Sequence, residues 1–221
     1  MSIANRLNRI KSEIPANVTL VAVSKFHEPS AIKEAYDAGQ RIFGESRVQE
    51  LVSKYEQLPK DIEWHFIGHL QINKIKHIAP FIDTVHSVDS LKLLNELNQF
   101  AVKFQRTINV LIQIHIAQEE HKYGFSYEEA ENLFRNNTFD EFPNLQLIGL
   151  MGMATFTRDE EQIRKEFAGI ADFLKKMKEK YAPPHLFNEL SIGMSDDYLI
   201  AINEGRSMVR IGSKLFGERT Y

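Results

Sequence analysis

Two periodicities take turns along this chain. Residues 18–23 are apolar or β-branched at every position and run on into Ser24 and Lys25, which predicts a buried strand over 18–25. Pro29 closes that run and opens a helix over 30–38, which Gly39 stops. The alternation then repeats. Short apolar runs predict further strands at 41–44, 62–67, 84–88, 108–116, 145–150, 190–192 and 208–211. Helical spacing predicts helices at 45–57, 71–79, 127–135, 159–180 and 196–204. Another follows Asp89 and Ser90, with Leu91, Leu94, Leu97 and Ala101 on one face, and a short one follows Gly212 and Ser213. Ser126 caps the helix at 127–135, with Glu128 and Glu129 in its first turn. Ahead of the first strand, Ile3, Leu7, Ile10 and Ile14 fall at helical spacing among Arg6, Arg9 and Lys11, which makes an amphipathic N-terminal helix.

Strand and helix alternate through eight units joined by mostly short connections, the pattern of a parallel sheet with helical crossovers. The expected fold class is α/β: one (β/α)8 TIM-type barrel with an extra N-terminal helix, forming a single domain over residues 1–221. A doubly wound open sheet is the alternative. Against it, no Gly-x-Gly-x-x-Gly follows the first strand, where a dinucleotide-binding fold would carry it.

Composition narrows the partners. The chain is 43% apolar, enough for a sizeable core, and it has no low-complexity tract or Pro/Gly/Ser-rich linker. A formal net charge of −3 with interspersed signs gives no electrostatic case for nucleic acid or an anionic membrane. With no cysteine, disulfides, thiolate chemistry and cysteine-based zinc sites are excluded. The N-terminal helix lacks the apolar core and small-residue cleavage site of a secretion signal, and no stretch approaches the ~20 apolar residues of a membrane span. The expected location is the cytoplasm.

In a barrel of this kind the reactive groups sit at the C-terminal ends of the strands. Those ends carry Lys25, Gly44 and Glu45, Gly68 and His69, His115, Met151, Gly193 to Ser195, and Arg210 to Gly212. Lys25 stands on the same strand face as Thr19, Val21 and Val23. An amine at the end of an apolar strand is partly desolvated, which disfavours the ammonium form, and a neutral amine can attack a carbonyl to form a Schiff base. Taken alone, such a lysine can equally snorkel into water. Residues 191–197 and 210–213 follow the last two strands and open helices, the usual phosphate site of the fold, where free N–H groups, close-approaching glycines and serine hydroxyls meet an anion. His65, His69, His115 and His121 match no strong metal-ligand spacing, so no metal site is expected.

These stretches resemble the YggS/PROSC family of pyridoxal phosphate (PLP) homeostasis proteins, whose fold is similar to the N-terminal barrel of alanine racemase. The matching pieces are residues 21–25, 43–45, 48–50, 64–71, 149–151, 190–197 (Leu-Ser-Ile-Gly-Met-Ser-Asp-Asp) and 208–217 (Met-Val-Arg-Ile-Gly-Ser-Lys-Leu-Phe-Gly), in the family order. The resemblance implies that Lys25 holds PLP as a Schiff base. It implies that Met194 and Ser195 lie at the cofactor, that Ser195 with the backbone of Gly212 and Ser213 binds the phosphate, and that Arg210 faces the pyridine nitrogen. Ser46 stands where the family usually has an asparagine near the cofactor. Lys122 falls where the family often has a second lysine, a candidate PLP acceptor.

An arginine at the pyridine nitrogen can only donate a hydrogen bond, so carbanion intermediates are weakly stabilised. Racemases of this type add a tyrosine base from a C-terminal domain, and this sequence ends at Tyr221, shortly after the barrel. The resemblance therefore implies a PLP-binding protein of intracellular PLP homeostasis without robust turnover and with no catalytic residue. Apo PLP-dependent enzymes are its conceivable recipients. A small racemase-like enzyme and a cofactor-free Schiff-base barrel acting on a phosphorylated sugar are the rival readings; the second is weakened because aldolase-type barrels carry their lysine on a late strand.

Overall fold

The computed structural model describes residues 1–119, 123–181, 186–205 and 207–217. Strands β1 (Thr19–Val23), β2 (Ile42–Glu45), β3 (Glu63–Phe66), β4 (Thr84–Val88), β5 (Ile108–Gln113), β6 (Leu145–Met151), β7 (Glu189–Ser191) and β8 (Met208–Ile211) close into one parallel barrel in chain order. Closure is made by β1 on β8, with Val21 opposite Arg210. The expected barrel is therefore present, and the open-sheet alternative falls with that pairing. His121, Lys122 and Tyr221 lie outside the described residues.

Helices α1 (Ile3–Glu13), α2 (Pro29–Asp37), α3 (Val48–Gln57), α4 (Ile75–Ile78), α5 (Leu91–Lys103), α6 (Tyr127–Arg135), α7 (Glu160–Tyr181), α8 (Tyr198–Asn203) and α9 (Ser213–Phe216) accompany the strands. Local chemistry starts several of them. Pro29 occupies the first turn of α2, Ser90 Oγ accepts from Leu93 N, and Ser126 and Glu129 form a reciprocal capping box on α6. The outward residues of the strands, such as Ala22, Phe43, Phe66, Val110 and Val209, are buried against the helices and form the main apolar core. The extra helix α1 buries Leu7 and Ile10, and Arg6 donates to the Leu215 and Phe216 carbonyls at the end of α9, joining the two ends of the chain.

Several boundaries differ from the sequence pattern; β5, expected to run to residue 116, ends at Gln113, and α8, expected over 196–204, spans Tyr198–Asn203. β1 stops at Val23 because Phe26 takes a left-handed backbone (φ 68°), which turns the chain and leaves Lys25 in the turn. Glu45 closes β2 rather than opening α3: it pairs with Phe66, and its carboxylate is held by Ser24 and Lys54. The 71–79 helix is a 3-10 turn, Ile72–Lys74, running into the single turn α4. A 3-10 turn at Thr138–Glu141 had no sequence signal. Among the described residues no helix is long and apolar enough to cross a membrane.

The barrel lumen is polar. His86 on β4 reaches Ser191 on β7, and Arg210 on β8 reaches the same serine. TIM-barrel interiors are normally filled by branched aliphatic side chains. Here buried histidines, a serine and an arginine occupy the space behind the C-terminal mouth.

Candidate functional site at the C-terminal mouth

A cavity of about 440 Å³ opens at the C-terminal mouth, within the ~300–1,000 Å³ typical of small-ligand sites. Lys25, Met194, Ser195, Arg210, Gly212 and Ser213 all line it. Three segments far apart in sequence, at the ends of β1, β7 and β8, thus bring together six of the seven expected residues. Ser46 does not line the cavity; it lies just past β2 against Gly68, where an added Cβ would come within 2.5 Å of the Ser46 carbonyl oxygen. Asp197, in the expected phosphate loop, also lines the cavity, as do Ile67, Thr155, Phe156 and Thr157, which sequence reasoning missed.

Lys25 is half-buried and held from both sides. Ser24 N donates to Gly44 O at 3.0 Å, and Phe26 N donates to Glu50 Oε1 at 2.6 Å. The left-handed Phe26 costs backbone energy. Its amide bond to Glu50 and the Arg47 guanidinium, 4.6 Å above its ring, keep it in place. Behind this turn sits a buried ion-pair cluster. Lys54 Nζ donates to Glu45 Oε1 at 2.7 Å, Glu50 Oε1 at 2.5 Å and Ser24 O at 2.8 Å. Burial pushes the Glu45 carboxyl up to about 7, against the pull of Lys54 and Ser24. Its Oε2 is buried without a partner among the described residues.

The opposite flank is built from the loops after β7 and β8. Gly193 has a left-handed φ of 86°, and a Cβ there would come within 2.7 Å of Ala201 Cβ, so only glycine lets the loop turn under α8. Ser195 Oγ accepts from Gly212 N at 3.2 Å, which ties the β7 and β8 loops together. Asp197 accepts from Met194 N at 2.5 Å, so this carboxylate is engaged within its own loop; burial raises its pKa.

Arg210 is almost fully buried. Nη1 donates to Ser191 O at 2.7 Å and Ser191 Oγ at 2.6 Å, and Nη2 donates to Gly152 O at 3.0 Å. These bonds leave N–H groups of the five in a guanidinium for a ligand at the mouth. Desolvation lowers its pKa to about 10, partly offset by the Asp197 charge, so it stays cationic at neutral pH. Among the described residues, Glu63, His65 and Asp83 bring ligand atoms within 4.8 Å of one another, at the far end of the barrel from this cavity.

Comparison with known proteins agrees with the geometry. A family model described as alanine racemase, N-terminal domain, matches residues 1–220. The chain is 41% identical to a pyridoxal phosphate homeostasis protein of Escherichia coli (strain K12), covering 94% of this chain and 88% of that one. It is 39% identical to a protein of the same name from Aquifex aeolicus, over 91% of this chain and 87% of the other. A structure of PipY from Synechococcus elongatus with PLP bound has a TM-score of 0.89 at 34% identity, covering 98% of this chain and all (100%) of PipY. Alanine racemase of Clostridium difficile 630 shares the fold, with a TM-score of 0.76 at 17% identity over 56% of its own length.

Proposed function

The chain belongs to the pyridoxal phosphate homeostasis family, with the barrel of the alanine racemase N-terminal domain, and from this premise we propose that it binds PLP at the C-terminal mouth and holds it without robust turnover. One observation carries the reading: an amine, a buried guanidinium and a serine-glycine cradle line the same cavity. The PLP-bound relative supports the choice of cofactor.

The residues fit the group chemically. Lys25 supplies the amine that takes the cofactor's aldehyde. Ser195 and the Gly212–Ser213 backbone receive the phosphate, with Met194 beside them in the cavity; Gly212 lets this loop pack closely on β1, since a Cβ there would lie 3.2 Å from Val23 O. Arg210 donates to the ring nitrogen. When bound, PLP supplies a reactive aldehyde and an electron sink. Arg210 cannot give up a proton at neutral pH, so it leaves the ring nitrogen unprotonated and the sink weak. Residues 1–221 act as one PLP-binding domain that sets the cofactor's availability to other enzymes in the cytoplasm, with apo PLP enzymes as recipients.

The decisive experiment is absorption spectroscopy of the purified protein with PLP, followed by borohydride reduction and peptide mapping. The expected outcome is a visible band lost in Lys25→Ala, with the reduced adduct on Lys25. An unchanged band in that variant would place the attachment elsewhere. Rapid amino-acid racemisation by the loaded protein, at kcat on the order of 1–10³ s⁻¹, would overturn the holding role.

A further inference from the structure

Arg210 is reached from behind by a line of polar groups through the lumen. Ser191 Oγ lies 2.6 Å from Arg210 Nη1 and 2.9 Å from His86 Nδ1. His86 Nε2 lies 2.8 Å from His65 Nδ1. His65 Nε2 points to Asp83 Oδ1 at 3.7 Å, where it acts on the carboxylate by charge rather than by a direct hydrogen bond. Asp83 stands just before β4, at the N-terminal mouth, and its side chain is 38% exposed. Thr84 Oγ1 (2.6 Å) and Asn109 Nδ2 (3.3 Å) donate to the same Oδ1 and fix it.

The two ends of this line set its direction. A guanidinium can only donate, and an ionised carboxylate can only accept. Ser191 Oγ accepts from Arg210, so its hydroxyl hydrogen is free to go to His86 Nδ1. His86 then carries its proton on Nε2 and donates to His65 Nδ1. His65 in turn carries its proton on Nε2, facing Asp83. The reverse order would leave the Ser191 hydroxyl hydrogen without its histidine acceptor and set a bare His65 nitrogen against a carboxylate. Both rings must be neutral for either to donate and accept at once. Burial lowers His65 to about 4 and His86 well below its usual value.

We propose that Asp83, His65, His86 and Ser191 form one directional chain that positions the Arg210 guanidinium from the opposite mouth of the barrel. The proposal rests on the reading of Arg210 as the group that meets the cofactor ring. None of these four residues lines the cavity. Their effect on a bound ligand therefore passes through Arg210: the chain holds Nη1 back on Ser191, so the remaining N–H groups keep a fixed aim at the mouth.

The test has one arm without cofactor and one with it. Nitrogen-15 NMR of histidine-labelled protein, with no PLP added, should find His65 and His86 both protonated on Nε2 and bare on Nδ1. Asp83→Asn keeps an oxygen for Thr84 and Asn109 but removes the charge; His86 should then become a mixture of tautomers. With PLP, His86→Leu should weaken binding by roughly 10-fold, about one lost hydrogen bond, and shift the visible band. His86→Gln, able to accept at Oε1 and donate at Nε2, should restore both. A His86 proton on Nδ1 in the unaltered protein overturns the proposal. So does a Leu variant that folds and binds PLP with unchanged affinity and spectrum. If PLP fails to bind the unaltered protein at all, the functional reading falls, and the tautomers alone decide the chain.

Discussion

Lys25 and Arg210 line the same cavity, yet the turn that carries the first is clamped by ionised groups, while the second is bonded to neutral ones. On the β1–β2 flank, Lys54, Glu45 and Glu50 form a buried ion-pair cluster that grips Ser24 O and Phe26 N on either side of Lys25. On the β7–β8 flank, Arg210 bonds to two carbonyls and a hydroxyl, and Asp197 reaches it only through its field. The difference fits the proposed roles: on that reading, the lysine that takes the aldehyde sits on a backbone fixed by its neighbours, while the arginine has its own atoms fixed by neutral acceptors rather than by a carboxylate pair.

The largest expected effect breaks the first flank. Lys54→Met leaves Glu45 buried with no cation, and breaking a buried pair in this way typically costs ~3–5 kcal/mol. Denaturant unfolding should register that loss. Adding Glu45→Leu should recover most of it, since a buried pair replaced by apolar side chains is often neutral. A cost in Lys54→Met below ~1 kcal/mol, the value of an exposed pair, would mean that the cluster does not hold the Lys25 turn.

A smaller effect tests the second flank. Ser195→Ala removes a hydroxyl from the cradle and unties the Gly212 amide. Hydrogen bonds to charged groups are worth ~1.5–3 kcal/mol, so PLP affinity should fall by roughly 10- to 100-fold, with little change in unfolding free energy. Unphosphorylated pyridoxal should bind poorly to the unaltered protein and be almost indifferent to the substitution. Equal affinity for PLP and pyridoxal would remove the anion cradle from the comparison.

Much of this mouth was legible before any coordinates. Lys25, Ser195, Arg210 and Gly212 all stand at or just past the ends of apolar runs, and the barrel rule sends strand ends to one face. The ion-pair cluster was not legible. Glu45 follows a glycine and precedes a helical pattern, so it read as the start of α3; its partners Ser24 and Lys54 are 21 and 9 residues away and meet it only through the β1–β2 pairing and the packing of α3 against β2. His86 was missed for a related reason. It sits inside β4, every residue of which is buried, where a single histidine gives no period, and its partner Ser191 is 105 residues distant across the lumen. Thr155, Phe156 and Thr157 carry no periodicity either, although Phe156 is 93% exposed beside the cavity.

The last test sharpens the comparison through pH, where the effect is read as a slope at each half-unit step. Glu45 is raised from 4.5 to about 7, so between those values the folded state holds more protons than the unfolded state. Its contribution to stability is present below about 4.5 and is lost as the pH rises to about 7. His65 is lowered from 6.5 to about 4, so between those values the unfolded state holds more protons. Its contribution is present above about 6.5 and is lost as the pH falls to about 4. The Glu45 cluster and the lumen histidine behind Arg210 therefore oppose each other in one window. Each can impose a slope of at most ~1.4 kcal/mol per pH unit, and the slopes have opposite signs. The stability of the unaltered protein minus that of Glu45→Gln should decline with rising pH between about 4.5 and 7. The same difference for His65→Gln should climb between about 4 and 6.5. Urea unfolding at half-unit pH steps measures both. Two differences of the same sign would mean that one of these groups is not buried as the structure has it, and a flat Glu45 curve would mean that Lys54 holds that carboxylate ionised throughout.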